Sequence, residues 1–311
     1  MDGSIARPRP FLALGLRLLT AFALATMGML VKLAGENGAH LVELIFWRQT
    51  ITFTLIGAGL ALLGRTAMLR TKRLKSHALR AALGLTGMFF VYGAVMLLPL
   101  AEATTLSFTA PFFAVMIAVI FFGEKVGKYR SLAVVMGFAG VVIVLQPASL
   151  FAGSAAQGIS LAGVATALIA AAMVSLISFQ IQDLNKTEEP WSIVFWFTAL
   201  SLPVLIIALP FFWAAHDMAV WGLIFATGVT GAIAQILLTT SLRFGSASVI
   251  LLIDYTSLLW ASWYGYAMFD RAAPTTLWLG APLIIGAGVL IAWRERAKSR
   301  AAAERTRTAK L

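Results

Sequence analysis

Apolar runs of helical length alternate with short polar breaks along the whole chain. The runs fall at 11–33, 41–63, 79–98, 102–122, 131–147, 159–182, 191–213, 219–240, 246–268 and 276–293. A helix needs about 20 mainly apolar residues to cross the hydrocarbon of a bilayer, and each run approximates that length. The breaks carry Gly, Pro, Asn and charge, as in "GENGAH", "QPASLFAGSAAQG" and "NKTEEP". The pattern predicts an all-α integral membrane protein with ten transmembrane helices. The first run opens on "ARPRPFLAL" and contains "ALA", both features of a signal peptide. It continues to Val31, long for such a segment, and reads as a retained first span.

Composition agrees. The 311 residues are 60% hydrophobic and 12% charged, with mean hydropathy +0.89. A soluble domain carries about 25% charged residues, so half that density cannot cover a water-facing surface. The absence of cysteine excludes disulfides, thiolate catalysis and Cys-ligated metals. The formal charge of +11 does not signal nucleic acid, because the basic residues cluster between apolar runs. With a cytoplasmic amino terminus, twenty Lys and Arg fall in inside segments, Arg80 counted among them, and Arg271 alone outside. Arg17, Lys32 and Arg48 lie within runs. This bias places both termini in the cytoplasm. The tail 294–311 reads as a solvated positive segment, with lipid binding as the alternative.

Two runs resemble each other. "SFTAPFFAVMIAVIFFGE" (107–124) and "DYTSLLWASWYGYAMFDR" (254–271) lie 147 residues apart and share Thr109/Thr256, Ala114/Ala261 and Phe122/Phe269. Five spans are an odd number, so a second five-span unit enters the membrane from the opposite side. Inverted repeats of this kind let two halves rock about a shared site. The expected organisation is a first repeat over 1–147, an outer linker over 148–158, a second inverted repeat over 159–293 and the basic tail.

The chain resembles the drug/metabolite transporter superfamily, in its EamA-type ten-helix branch. The resemblance is carried by "PLAEATTLSFTAPFFAVMIAVIFFGEKVG" and "GFAGVVIVLQP" in the first half. In the second half it is carried by "SLRFGSASVILLIDYTSLLWASWYGY" and "WLGAPLIIGAGVLIAW", with Lys32 and "ELIFWRQT" also similar. It implies transport of small metabolites, usually export, by alternating access in a bacterial inner membrane. Within the superfamily the chain looks most like exporters of amino acids, aromatic ones included. It departs from the family at Arg271, where an acidic residue is frequent, so no role is given to Glu124 or Arg271.

Ionisable groups inside spans are costly and usually face the bundle interior or a water-filled cavity. Asp254 sits roughly 12 Å into its span at 1.5 Å per residue and heads a stripe with Ser257, Ala261 and Gly265. It reads either as a carboxylate for a substrate amine or a proton, or as a packing partner of a neighbouring helix. Arg48, roughly 10 Å deep, reads as a holder of a substrate carboxylate or as a clamp on carbonyls or Glu43. Lys32 reads as an interfacial anchor. Tyr92, Ser178, Gln182, Gln235 and Tyr255 are further candidates for binding or coupling; hydroxyls at such positions also commonly join helices. Pro111 marks a helix break that either shapes a cavity or makes a packing kink. Most tryptophans fall near span ends, where an interfacial belt places them.

The expected partners are a small-molecule substrate and the lipid bilayer, with no nucleic acid, cofactor or metal. A membrane enzyme would need a nucleophile with a base or a metal cluster, and no "GxSxG", paired-His or Walker-type motif occurs. A channel would show charged rings or filter loops. Uptake by the same fold is the closest rival to export.

Overall fold

In hydrocarbon every backbone N–H and C=O must find its partner within the chain, and a helix does this locally. The computed structural model describes residues 10–122, 128–145, 160–244 and 254–308, and among them every regular element is helical. The helices are α1 (Pro10–Glu36), α2 (Leu41–Leu62), α3 (Leu74–Leu97), α4 (Leu100–Ser107), α5 (Ala110–Phe122) and α6 (Lys128–Leu145). They continue with α7 (Leu161–Leu184), α8 (Pro190–Ala208), α9 (Met218–Phe244), α10 (Thr256–Phe269) and α11 (Thr275–Thr308). Seven helical stretches among the described residues are long and apolar enough to cross a membrane, and Ser131–Ile143 and Thr275–Leu290 are shorter apolar helices. The expected linker 148–158 and Glu124 lie outside the described residues.

Helix ends follow local chemistry. Ser160 accepts from the Gly163 amide and starts α7. Pro190 opens α8, where its missing N–H costs nothing. Gly64, at φ +64°, lets the chain leave α2, while Arg65 N–H donates to the Leu60 carbonyl. The last helix does not stop where hydropathy does. It runs on to Thr308, so the expected tail is backbone continuous with α11.

The fourth apolar run is two helices. Pro111 cannot donate to the Ser107 carbonyl and its ring crowds that position. The chain therefore turns at Phe108 and Thr109 and restarts at Ala110. Thr109 Oγ1 donates to the Leu106 carbonyl at 2.7 Å, and the Phe112 amide donates to the Thr109 carbonyl at 2.9 Å. The break falls just before the proline, not at it.

Packing pairs distant parts of the chain. α1 lies along α9 and α10, α3 along α7 and α8, and α2 against both α8 and α9. α4 and α5 meet α7, α4 meets α10, and α6 lies along α11. Glycines let backbones approach: a methyl group on Gly140 of α6 would stand 2.8 Å from the Gly280 carbonyl oxygen and 2.7 Å from Ile284 Cγ1 of α11. Residues 137–145 thus pack on the segment "WLGAPLIIGAGVLIAW". Their contact joins the apolar cluster of Phe112, Ala133, Val141, Leu277, Ala281 and Ile284.

Candidate functional site

The core of α2, α3, α8 and α9 holds two arginines. Arg48 stands seven residues into α2 and Arg80 six residues into α3. Both are buried, at 4% and 2% exposure. Arg48 Nη2 donates to Gln235 Oε1 of α9 at 3.3 Å, and Nη1 reaches Met88 Sδ of α3 at 2.9 Å and Gln49 Oε1 at 3.4 Å. Its stem crosses Gly231, where a methyl group would come within 2.5 Å of Nε. Arg80 runs along its own helix towards the middle of the bundle. A methyl group on Gly84 would meet Arg80 Nη1 at 2.0 Å, and the guanidinium sits 4.3 Å from the Phe197 ring centre of α8. Gly84 and Met88 are one helical turn apart, so the two arginines close on one region from opposite ends.

Arg80 was counted among the basic residues of a cytoplasmic segment; it is instead part of the core. The apolar run begins near residue 79, but α3 begins at Leu74, because "LKSHALR" has too many polar residues to read as a span while still forming helix. The signal that could have found it is its glycine at four residues' spacing, Gly84, which makes room for a long side chain.

A second buried group joins α1 to the start of α10. Arg17 forms a two-pronged ion pair with Asp254, through Nε to Oδ1 and Nη2 to Oδ2, and its Nη1 lies 3.4 Å from Ser241 Oγ. Asp254 is thus paired to a neighbouring helix. Beside it Tyr255 interrupts the helix, as Phe108 does 147 residues earlier, and the two rings meet edge to face at 4.9 Å. Tyr255 Oη reaches α11, where a methyl group on Gly288 would overlap it at 1.8 Å.

Other charges close the ends. Glu43 pairs with His216 at 2.7 Å, so it is not the partner of Arg48. Trp221 stands edge-on to His216 at 5.9 Å, and Trp47, Trp213 and Trp221 pack on one another with ring centres 5.3–6.3 Å apart. Lys32 is buried, not snorkelling: its Nζ donates to the Leu98 and Val95 carbonyls at 3.0 and 3.3 Å and so caps α3. At the opposite end Arg73 pairs with Asp183, and His77 is fully buried 3.9 Å from Glu188.

The remaining candidates divide. Tyr92 is buried on the same face of α3 as Met88, its hydroxyl 3.4 Å from Met27 Sδ. Ser178 donates to the Val174 carbonyl of its own helix, and Gln182 is exposed on the outside of α7. Neither joins Arg48 and Gln235. Among the described residues no three His, Asp or Glu side chains converge as a metal ion would need.

The EamA-like transporter family matches residues 11–146. A riboflavin transporter of Rhizobium johnstonii is 33% identical over 258 residues, 82% of each chain. This chain belongs to the EamA-like transporter family. Other relatives are less identical over longer matches. The pseudopaline exporter CntI of Pseudomonas aeruginosa is 25% identical over 89% of this chain and 94% of its own. Solute carrier family 35 member G1 of Mus musculus is 25% identical over 89% and 77%. A crystal structure of a protein 20% identical superposes with a TM-score of 0.60 over 90% of this chain and 98% of that one, a likeness of fold alone. An EamA-like chain with seven membrane-length helices is a multi-pass membrane transporter of small molecules, not an enzyme.

Proposed function

We propose that this EamA-like protein exports small metabolites, amino acids foremost and aromatic ones among them, from the cytoplasm across a bacterial inner membrane. In this reading ten helices form two inverted halves, 1–147 and 159–293, with both termini cytoplasmic, and the halves rock to alternate access. The most extensive contacts between the halves have counterparts when the halves are exchanged: α1 on α9 matches α7 on α3, and α2 on α9 matches α8 on α3. The meeting of the two helix breaks at Phe108 and Tyr255 fits the same exchange. Such contacts between halves are what alternating access would rearrange.

The observation that carries a solute site is Arg48. It bridges α2, α3 and α9 through neutral groups, and its buried Nε has no hydrogen-bond partner among the described residues. A planar guanidinium held open in this way matches a carboxylate. The test is flux of labelled amino acids into proteoliposomes. Saturable flux through the wild type that falls about 100-fold in Arg48→Ala supports the reading, since a hydrogen bond to a charged group is worth about 1.5–3 kcal/mol. Wild-type vesicles that move no amino acid overturn it. A gentler change acts through space: Gly231→Ala pushes on Arg48 Nε. It should raise KM several-fold while the melting temperature stays near the wild-type value; an unchanged KM would remove Arg48 from the solute path.

A further inference from the structure

We propose that Arg80 and Arg48 together form a two-armed anion site, and that its solute carries two carboxylates, as a dicarboxylate or an acidic amino acid does. The inference rests on the transport reading above for treating the site as a solute path, and it narrows the substrate class within it.

Further along the same helices Glu43 Oε1 and both His77 ring nitrogens also lack a hydrogen-bond partner among the described residues, but on the two arginines and Gln49 the orphans are four N–H donors. They are Arg48 Nε, Gln49 Nε2, Arg80 Nε and Arg80 Nη1, each buried and without a hydrogen-bond partner among the described residues. Buried polar groups are nearly always paired, so a set of orphans of one sign describes the missing partner. Here that partner is rich in acceptors. Charge says the same: among the described residues no Asp or Glu lies within ion-pairing distance of either arginine. The nearby carboxylates are engaged elsewhere, Glu43 with His216, Asp254 with Arg17 and Glu188 with Thr71. The two guanidiniums feel each other's charge, so each makes the other costlier to bury.

One carboxylate would leave a positive charge uncompensated. A neutral zwitterion brings one carboxylate for two guanidiniums, so one arm stays empty. A solute with two acidic groups satisfies both arms, one guanidinium to each carboxylate. The route of Arg80 also matters. An arginine six residues from the start of α3 has the length to snorkel outwards. It turns inwards along Gly84 and lies on Phe197, a face that holds its plane without supplying an acceptor.

The experiment uses the full chain in detergent and in proteoliposomes. Melting temperature is read with glutamate, succinate, phenylalanine and inorganic phosphate, for wild type, Arg80→Met and Arg80→Lys. The wild type should be stabilised by glutamate and succinate, and far less by phenylalanine. Arg80→Met should lose that response yet melt at or above the wild type without ligand, because an unpaired charge has been replaced by apolar surface. Arg80→Lys should keep a response with affinity about 10- to 100-fold weaker, the loss of paired donors to one carboxylate. If Arg80→Met melts lower and keeps the glutamate and succinate response, Arg80 is a strut on Phe197 and the inference is overturned. If phosphate stabilises as well as the dicarboxylates do, the dicarboxylic solute is overturned. Amino-acid flux that survives Arg80→Met overturns the inference while leaving the export reading intact. A succinate response dependent on Arg80, with no amino-acid flux, does the reverse.

Discussion

Arg17→Met lowers the stability of the folded chain by about 3 kcal/mol, because it leaves the Asp254 carboxylate buried without its partner. The two side chains are 11% and 24% exposed, and the pair is bidentate, so water replaces little of what is lost. Ser241 remains nearby, but it touches only the guanidinium. The cost belongs to the orphaned charge and not to the contact as such. The double variant Arg17→Met with Asp254→Leu should therefore recover most of the loss. Melting in detergent, read as a double-mutant cycle, measures the coupling. Additive losses would show that Asp254 is solvated in the folded state and that α1 and α10 are held by packing alone. The same cycle bears on coupling. If Asp254→Asn leaves flux and its response to a pH gradient unchanged, the carboxylate joins helices and does nothing more.

Gly140→Leu parts α6 from α11 and costs about 3 kcal/mol or more, the upper range for overpacking a tight contact. Even a methyl group there would stand 2.8 Å from the Gly280 carbonyl oxygen, and 3.1 Å from the Ile284 nitrogen. These are backbone atoms, so no rotamer change makes room. Gly286→Ala is the matched control. Its nearest neighbour would be Met136 Cε at 3.8 Å, ordinary contact, and alanine is the better helix former by about 1 kcal/mol. A control that melts at or above the wild type, beside a Gly140→Leu chain that melts well below it, locates the cost in backbone approach. Equal melting of both would mean that the α6–α11 contact contributes little.

The helices themselves were legible in the sequence. Hydrophobicity acts locally, so apolar runs foretold most of the helices from α1 to α11, and stop residues foretold their separation. The boundaries were less legible. α3 starts before its run because helix propensity tolerates Lys75, Ser76 and His77, whereas a hydropathy reading does not. The break in the fourth run was foreseen at Pro111, but its place at Phe108 and Thr109 follows from which carbonyl the proline orphans. Of the candidate residues, Arg48 and Gln235 were singled out separately, and 187 positions of chain separate two groups that the fold brings to 3.3 Å. Gln182 lies exposed on the outside of α7, a placement its type does not reveal. Arg80 had the right chemistry, but the count of loop charges absorbed it.

By itself the sequence determined the solvent and the class of element. A chain with 12% charged residues has to put its apolar runs in lipid, and continuous apolar runs of about 20 residues cross it as helices. Tertiary structure alone decided which buried charges are spent and which are free. Asp254 is spent on Arg17 from 237 positions away and Glu43 on His216, while Arg48 is left with neutral acceptors and Arg80 with a ring. A charge near the middle of a membrane bundle is costly wherever it stands. Whether it is compensated depends on the neighbour that a distant helix supplies, and no local pattern encodes that neighbour.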